Sequence, residues 1–360
     1  MNFLEQFKHF VFRQYRKKEI KNHNLDYLFW ECTLRCNLNC LHCGSDCLKN
    51  SSFKDMPKED FLKVLDDIKE SGFKKDVFVC ITGGEPLLRP DLEEVGRQIR
   101  QKGFKWGIVT NGILLDSKRL KSLLNAGMSA VSLSLDGFEL EHNKLRQSSF
   151  AFQKTLSAIT EVVKIAEKSL LSYDIITCVN RFNFNSLEKF RDFLISQKVK
   201  HWRIFSIFNE GRAQNNSEVL SLTKMEYRQL MDFIALTRKN FSKQIHLNYS
   251  CEGFLGDYEL KVRDFFYFCR AGINVASVMT DGSVTGCLSI RAQDFIQGNI
   301  YKEKFSTIWN NNFSVMRQRN FLQSEKCIDC KLWKKCLGNG LHLYSSLKSG
   351  PSRCNYLELV

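Results

Sequence analysis

The stretch 30-WECTLRCNLNCLHCGSDC-47 decides how the chain is read, because it sets five cysteines, Cys32, Cys36, Cys40, Cys43 and Cys47, within sixteen residues. Cys36, Cys40 and Cys43 keep a Cys-x3-Cys-x2-Cys spacing directly after 27-YLFWECT-33, an apolar, aromatic run that reads as a strand. Three thiolates therefore lie on one loop. Thiolates are the usual ligands of iron–sulfur clusters, and three rather than four leave one iron of a [4Fe-4S] cube open to a substrate or cofactor. The competing reading is a zinc knuckle, although structural zinc wants four ligands in more widely separated pairs.

The surrounding composition is that of a globular protein. At 360 residues and 43% hydrophobic content the chain is long enough for one large domain and a smaller one. The N-terminus MNFLEQFKHFVFRQYRKK is interrupted by Glu5, Lys8, His9 and Arg13, so it has no apolar signal region. No later stretch approaches the roughly 18 apolar residues of a spanning helix. A cytoplasmic setting follows, in which fourteen cysteines point to metal rather than disulfides. The formal charge of +14 is scattered, and its densest runs (Arg16, Lys17, Lys18; Lys331, Lys334, Lys335) are short. That pattern argues against nucleic acid and for a solvated basic face or attraction to an acidic peptide or membrane surface. In residues 1–25, Phe3, Phe7, Phe10 and Val11 recur at helical spacing opposite Lys8 and Arg13; this basic amphipathic segment reads as an interfacial helix or a helix that caps the main domain.

From residue 26 to about 215 short apolar runs alternate with amphipathic windows. Strands are expected at 27–33, 77–82, 105–110, 130–135, 173–179 and 201–207, with helices at 57–72, 90–103, 116–127, 149–168 and 185–197. Gly72, Gly103 and Gly127 stand where helix C-terminal caps are wanted. Six strand–helix units imply an α/β protein with parallel strands, closed or partly closed like a barrel, whose functional groups lie at the strands' C-terminal ends. Residues 216–260 read as a helical linker with one helix at 223–240. Residues 261–360, with further cysteines and little helical periodicity, read as a small metal-stapled domain.

At the end of the second strand stands 82-TGGEP-86, where two glycines permit close backbone approach and Pro86 starts the next helix. With the cysteine loop, this motif resembles the radical S-adenosylmethionine (SAM) enzymes, which carry a CxxxCxxC loop after the first strand of a partial (β/α)6 barrel and a GGE motif after the second. The resemblance implies that Cys36, Cys40 and Cys43 hold the cluster and that its open iron chelates SAM. His42 would lie near the adenine, and Gly83, Gly84 and Glu85 near the SAM amino group. Thr110, Asn111 and Gly112 match a third-strand TNG end. In 134-SLDG-137, Ser134 and Asp136 would reach the ribose; in 142-HNKLR-146, Arg146 would pair with the SAM carboxylate. The segment 205-FSIFNEGRA-213 resembles the sixth-strand end near the adenine. The implied chemistry is reductive cleavage of SAM to a 5'-deoxyadenosyl radical that abstracts hydrogen from an unactivated C–H bond.

The C-terminal cysteines resemble the SPASM domain, an extension that binds auxiliary iron–sulfur clusters in radical SAM enzymes acting on peptides. By that resemblance Cys327, Cys330, Cys336 and Cys354 bind one auxiliary cluster; a zinc ribbon is the bland alternative. Cys269 and Cys287 would serve a second cluster, but the family's further cysteine four residues after Cys336 is replaced by Gly340. Cys251 is a candidate third ligand, and an incompletely ligated cluster is the favoured reading. Leu288 stands where the sulfatase-maturing branch has an acid, which argues against that oxidation. Cys32, Cys80 and Cys178 read as core residues, and Cys47 is a weak candidate for a catalytic role.

The implied function is maturation of a ribosomally made peptide or small protein, with a flavodoxin or ferredoxin as electron donor. The roughly 25 residues before the barrel leave no room for a winged-helix leader-binding domain. A subgroup associated with small lipoproteins is compatible with the basic aromatic N-terminus. The alternatives are radical SAM chemistry in cofactor, tetrapyrrole or other small-molecule biosynthesis, and a non-catalytic iron–sulfur or zinc protein.

Overall fold

In the computed structural model, residues 3–73, 76–250, 252–323 and 327–360 are described; Cys251 lies outside them. The six expected strands form as β1 (Tyr27–Thr33), β2 (Phe78–Gly83), β3 (Lys105–Thr110), β4 (Met128–Ser134), β5 (Ser172–Val179) and β6 (His201–Ser206). Each pairs in parallel with the next. The parallel arrangement follows from the helices that separate them, since a crossover helix returns the chain to the starting end of the sheet. The N-terminal helix α1 (Phe3–Asn22) is followed by the crossover helices α2 (Lys58–Glu70), α3 (Leu92–Gln101) and α4 (Ser117–Asn125). Next come α5 (Glu139–Arg146), α6 (Ala151–Ala166) and α7 (Leu187–Ser196). Helix α2 buries Phe61, Leu62, Val64, Leu65 and Ile68 at helical spacing. Pro86 opens a single 3-10 turn, Pro86–Leu88, rather than α3, which begins six residues later at Leu92.

The sheet does not stop at six strands. β7 (His246–Tyr249), from the region expected to be a helical linker, extends it beside β6. On the other side β8 (Val275–Val278) runs parallel to β1, from Tyr27↔Val275 to Trp30↔Val278. β9 (Ser283–Thr285) and β10 (Gly298–Asn299) then add antiparallel strands. The order is β10-β9-β8-β1-β2-β3-β4-β5-β6-β7, so the C-terminal region shares the sheet of the main domain. The physical reason is that β1 has two edges and β2 satisfies only one; β8 covers the other. β7 and β10 are the two ends of the sheet and do not pair with each other.

Helix α1 caps the C-terminal region rather than the barrel. Arg16, 5% exposed, donates to the backbone carbonyls of Lys335 (2.8 Å) and Lys334 (2.6 Å). Phe12 packs on Phe266 with ring centroids 5.3 Å apart, and Asn274 donates to Glu19 at 3.0 Å. Its outer face leaves Phe7, Phe10, Val11 and Tyr15 exposed. Among the described residues no helix is long and apolar enough to cross a membrane.

One buried arginine ties the cysteine-loop end of β1 to the next layer. Arg89, 4% exposed, donates through Nη1 to the carbonyls of Cys32 and Met56, both at 2.9 Å, and through Nη2 to Asp91 at 2.8 Å. Its guanidinium also lies 5.0 Å from the Trp30 ring, which stacks on Phe61. Arg89→Met keeps most of the volume but strands two buried carbonyls, so it should destabilise the protein by about 3 kcal/mol. Thermal and urea melts followed by circular dichroism measure this; an unchanged midpoint would show that the carbonyls find other donors.

Candidate active site

The cysteine loop sits beyond the C-terminal end of β1, where parallel βα folds place their chemistry. It closes on itself through Cys36 N–H to Leu48 O at 2.9 Å. Cys36, Cys40 and Cys47 are buried with Leu38 and Ala151, and Cys43 is partly exposed beside them. Burial pushes the Cys36 thiol up to about 12, and negative charge on Glu85, Cys40 and Cys43 adds to the shift. Burial likewise raises Cys40, with Cys43 adding to the shift, whereas Cys43 itself is pulled down to about 5 by hydrogen bonds from Cys47. Two buried thiols beside a readily ionised third fit a bound cation, which relieves the repulsion. Among the described residues no group of three His, Cys, Asp or Glu side chains is placed to hold a single metal ion. The ligands of a four-iron cube need not converge in that way, because each thiolate takes its own iron.

Gly83 and Gly84 set the loop's position. A Cβ on Gly83 would lie 2.1 Å from Thr33 O, and one on Gly84 2.1 Å from Arg35 O. The contact is sealed by Gly84 N–H to Thr33 O (2.8 Å) and Glu85 N–H to Arg35 O (2.9 Å). Glu85 is fully buried: its carboxylate accepts the Leu87 N–H (3.0 Å), the Thr110 hydroxyl (2.7 Å) and the Asn111 N–H (2.9 Å). Asn111 in turn donates to Asn37 of the cysteine loop at 2.8 Å. The strand ends of β1, β2 and β3 are thereby joined under the thiols. Glu85, expected beside the SAM amino group, has most of its acceptor capacity taken by this network.

Asp136 and Arg146, expected to meet SAM separately, are paired with each other. Arg146 follows β4 on helix α5 and donates Nε (2.7 Å) and Nη2 (2.6 Å) to Asp136 Oδ2, while its Nη1 lies 3.8 Å from Cys40 Sγ. Asp136 Oδ1 accepts the Cys178 N–H at 2.9 Å. Burial, the largest influence, would raise the Asp136 carboxyl, but Arg146 together with His42, His142 and the Cys178 N–H holds it below the usual range. Ser134, at the end of β4, stays partly exposed. His42, next to Cys43, is neutral because burial lowers it to about 4. Its Nε2 stands 4.0 Å from Asp136, and its Nδ1 is buried with no hydrogen-bond partner, an atom left for a ligand to satisfy.

Two arginines outside the expected set clamp the loop. Arg212 donates to the carbonyls of Cys40 (2.9 Å) and Cys47 (2.8 Å) and to Asp46 (2.6 Å). Gly211 before it lets the backbone approach, since a Cβ there would lie 2.7 Å from Cys43 O. From the C-terminal region Arg291 reaches Ser45 at 2.6 Å and pairs with buried Glu31 on β1. A carbonyl-rich loop needs donors, which was the available signal, but a distant arginine cannot be matched to it by spacing. Cys47 donates both its buried thiol and its N–H (3.4 Å) to Cys43, and these bonds pull the Cys43 thiol down to about 5. Cys32, Cys80 and Cys178 are buried in the core as expected.

In the C-terminal region Cys336 is pushed up to about 12 by burial, and Cys354 and Cys327 lie near enough to add to the shift. Cys330 is one turn from Cys327, with Cys330 N–H to Cys327 O at 3.4 Å. The structure thus gathers the four cysteines expected to act together. Gly84→Ala should break the backbone contact under the first loop: anaerobically reconstituted protein should lose about four irons and SAM binding. Metal analysis and equilibrium dialysis read this out, and full iron loading would show that the loop tolerates displacement.

The chain matches the radical SAM superfamily over residues 30–194 and the SPASM iron-sulfur cluster-binding domain over residues 269–331. It is similar to the Fe-coproporphyrin III synthase of Methanosarcina barkeri, 27% identical over 89% of this chain and 86% of that protein. It is also similar to the AdoMet-dependent heme synthase of that organism, 26% identical over 88% of this chain and 91% of that protein. Among solved structures, Streptococcus suis SuiB bound to its precursor peptide SuiA superposes with a TM-score of 0.70 at 17% identity, covering 94% of this chain and 78% of that one, a likeness of fold. The chain therefore carries a radical SAM domain followed by a SPASM domain, and these two domains imply [4Fe-4S] clusters and SAM as its cofactors.

Proposed function

We propose that this enzyme modifies a ribosomally made peptide or small protein at an unactivated C–H bond. The observation that carries the reading is the SPASM match at residues 269–331 behind the radical SAM match at residues 30–194, the arrangement of the peptide-acting enzymes that the sequence resembles. The fold likeness to SuiB, solved with a precursor peptide, supports it. When bound, the reduced cluster and SAM supply radical hydrogen abstraction. Cys36, Cys40 and Cys43 hold the cluster. The buried Arg146 guanidinium, already paired with Asp136, turns its third nitrogen toward Cys40 Sγ and stabilises negative charge on that sulfur. His42 offers its unsatisfied Nδ1 to the adenine, Ser134 its hydroxyl to the ribose, and Gly83, Gly84 and Asn111 line the strand ends beside them. Arg212 and Arg291 keep the loop rigid while substrate enters.

A second reading has a specific basis: the two Methanosarcina barkeri relatives are named for iron–coproporphyrin and heme synthesis. The experiment that separates the readings uses reconstituted enzyme, SAM, dithionite and, in separate arms, deuterated iron–coproporphyrin III and the deuterated product of any short reading frame found beside this gene. Deuterium should appear in 5'-deoxyadenosine. Transfer from iron–coproporphyrin III and none from the small protein would replace the peptide reading with the tetrapyrrole one. Cys47 meets Cys43 through both its thiol and its N–H, so Cys47→Ser, whose hydroxyl can still donate, should retain SAM cleavage and product formation; loss of product alone would assign the thiol a catalytic role.

A further inference from the structure

Cys269 and Cys287 stand apart from the four-cysteine set, and the sequence gives them no complete ligand shell. Their backbones come together because Gly286 packs against residues 271–272; a Cβ on Gly286 would lie 2.7 Å from Gly272 N. The turn at 340–342 reaches the same place, since the Cys269 sulfur accepts the Leu341 N–H. At 340, where the SPASM resemblance implies another thiol, stands Gly340. The space its side chain would occupy is filled: a Cβ there would lie 2.4 Å from Cε1 and 2.6 Å from Nδ1 of His342. The His342 ring is held edge-on against Phe208, with centroids 4.4 Å apart and planes at 90°. Its Nε2 is buried and has no hydrogen-bond partner. A buried polar nitrogen without a partner is costly and points to a group that binds it. Phe208 follows β6, so this ring lies where the C-terminal region meets the strand ends.

We propose that His342 is a nitrogen ligand of an auxiliary iron–sulfur cluster held with Cys269 and Cys287, replacing the thiolate that a cysteine at position 340 would supply. The proposal rests on the SPASM assignment, not on the identity of the substrate. The ligands of an iron–sulfur cluster sit on different irons, so the three side chains need not converge on one point. A neutral imidazole in place of a thiolate makes the cluster one charge less negative, and its reduction potential rises, as histidine ligation does in Rieske centres.

The test uses full-length protein reconstituted anaerobically without SAM, so that no cofactor nitrogen competes. Pulsed electron paramagnetic resonance of the reduced protein, prepared with natural-abundance or 15N-labelled histidine, should show coupling to a histidine nitrogen that changes with the label. The coupling should vanish in His342→Ala, with a loss of iron. The double variant Gly340→Cys/His342→Ala should regain iron, lack the nitrogen coupling and titrate at a more negative potential. Absence of histidine coupling in the unmodified protein, its persistence in His342→Ala, or unchanged iron in that variant would each overturn the proposal. The labelled wild-type measurement needs no variant to fold. SAM cleavage and deuterium transfer, read on the same preparation, report separately on the substrate reading.

Discussion

The contact on which the rest depends is the one between the Gly83-Gly84 backbone and residues 33–35. Nothing larger than hydrogen fits at either glycine, because the neighbouring atoms are carbonyl oxygens of the adjacent chain rather than movable side chains. Once that approach is made, two backbone hydrogen bonds fix where the cysteine loop leaves β1. Glu85 is carried inward to collect Thr110 and Asn111, and Asn111 returns a bond to Asn37. The motif that a sequence reader assigns to the cofactor's amino group thus has a structural task first: it holds three strand ends and the loop in one frame. A site needing sub-ångström placement of thiols is better served by such backbone and buried-carboxylate bonds than by flexible surface contacts.

The loop is fastened from three further directions. Helix α5 accepts the Leu41 N–H at Leu145 O, the segment after β6 supplies Gly211 and Arg212, and the C-terminal region supplies Arg291. The last of these matters for the relation between the two cysteine sets. β8 hydrogen-bonds to β1, and Thr280, just beyond it, donates to the Glu31 carbonyl at 2.8 Å. The auxiliary region is thus built into the wall that carries the first loop, and a change in one is felt mechanically in the other.

How much of this was legible in the sequence depends on the range of the interaction. β1 and β3 were read to the residue and the other four within two, because parallel strands covered by helices are written as apolar runs. Gly72, Gly103 and Gly127 were read as caps and take positive φ. The cysteine triad and the glycine pair were legible because their geometry is local. β7 to β10 were not assigned to the main sheet, since short strands of two to four residues carry no periodicity and their pairing depends on a free edge far away in sequence. The partnership of Asp136 and Arg146 was hidden for another reason: each was matched to the cofactor singly, and only the fold shows that helix α5 sets the guanidinium against the carboxylate.

The cysteines make the same point about context. Cys32 and Cys47 belong to the same sixteen-residue stretch as the three proposed cluster ligands, yet their surroundings separate them. Cys32 points into the wall of the barrel with no exposed surface, and burial raises its thiol far above its ordinary value, so it behaves as a small apolar residue. Cys47 touches the site through both main chain and thiol, each donating to Cys43, while Arg212 holds its carbonyl. A hydrogen bond to a ligand sulfur withdraws charge from it and raises the potential of whatever metal that sulfur binds. Residue 47 therefore tunes Cys43 through both its N–H and its thiol, a role that a residue without a side-chain donor fills only in part, and the five cysteines of one loop divide into three proposed ligands, one wall residue and one donor to the third of those ligands.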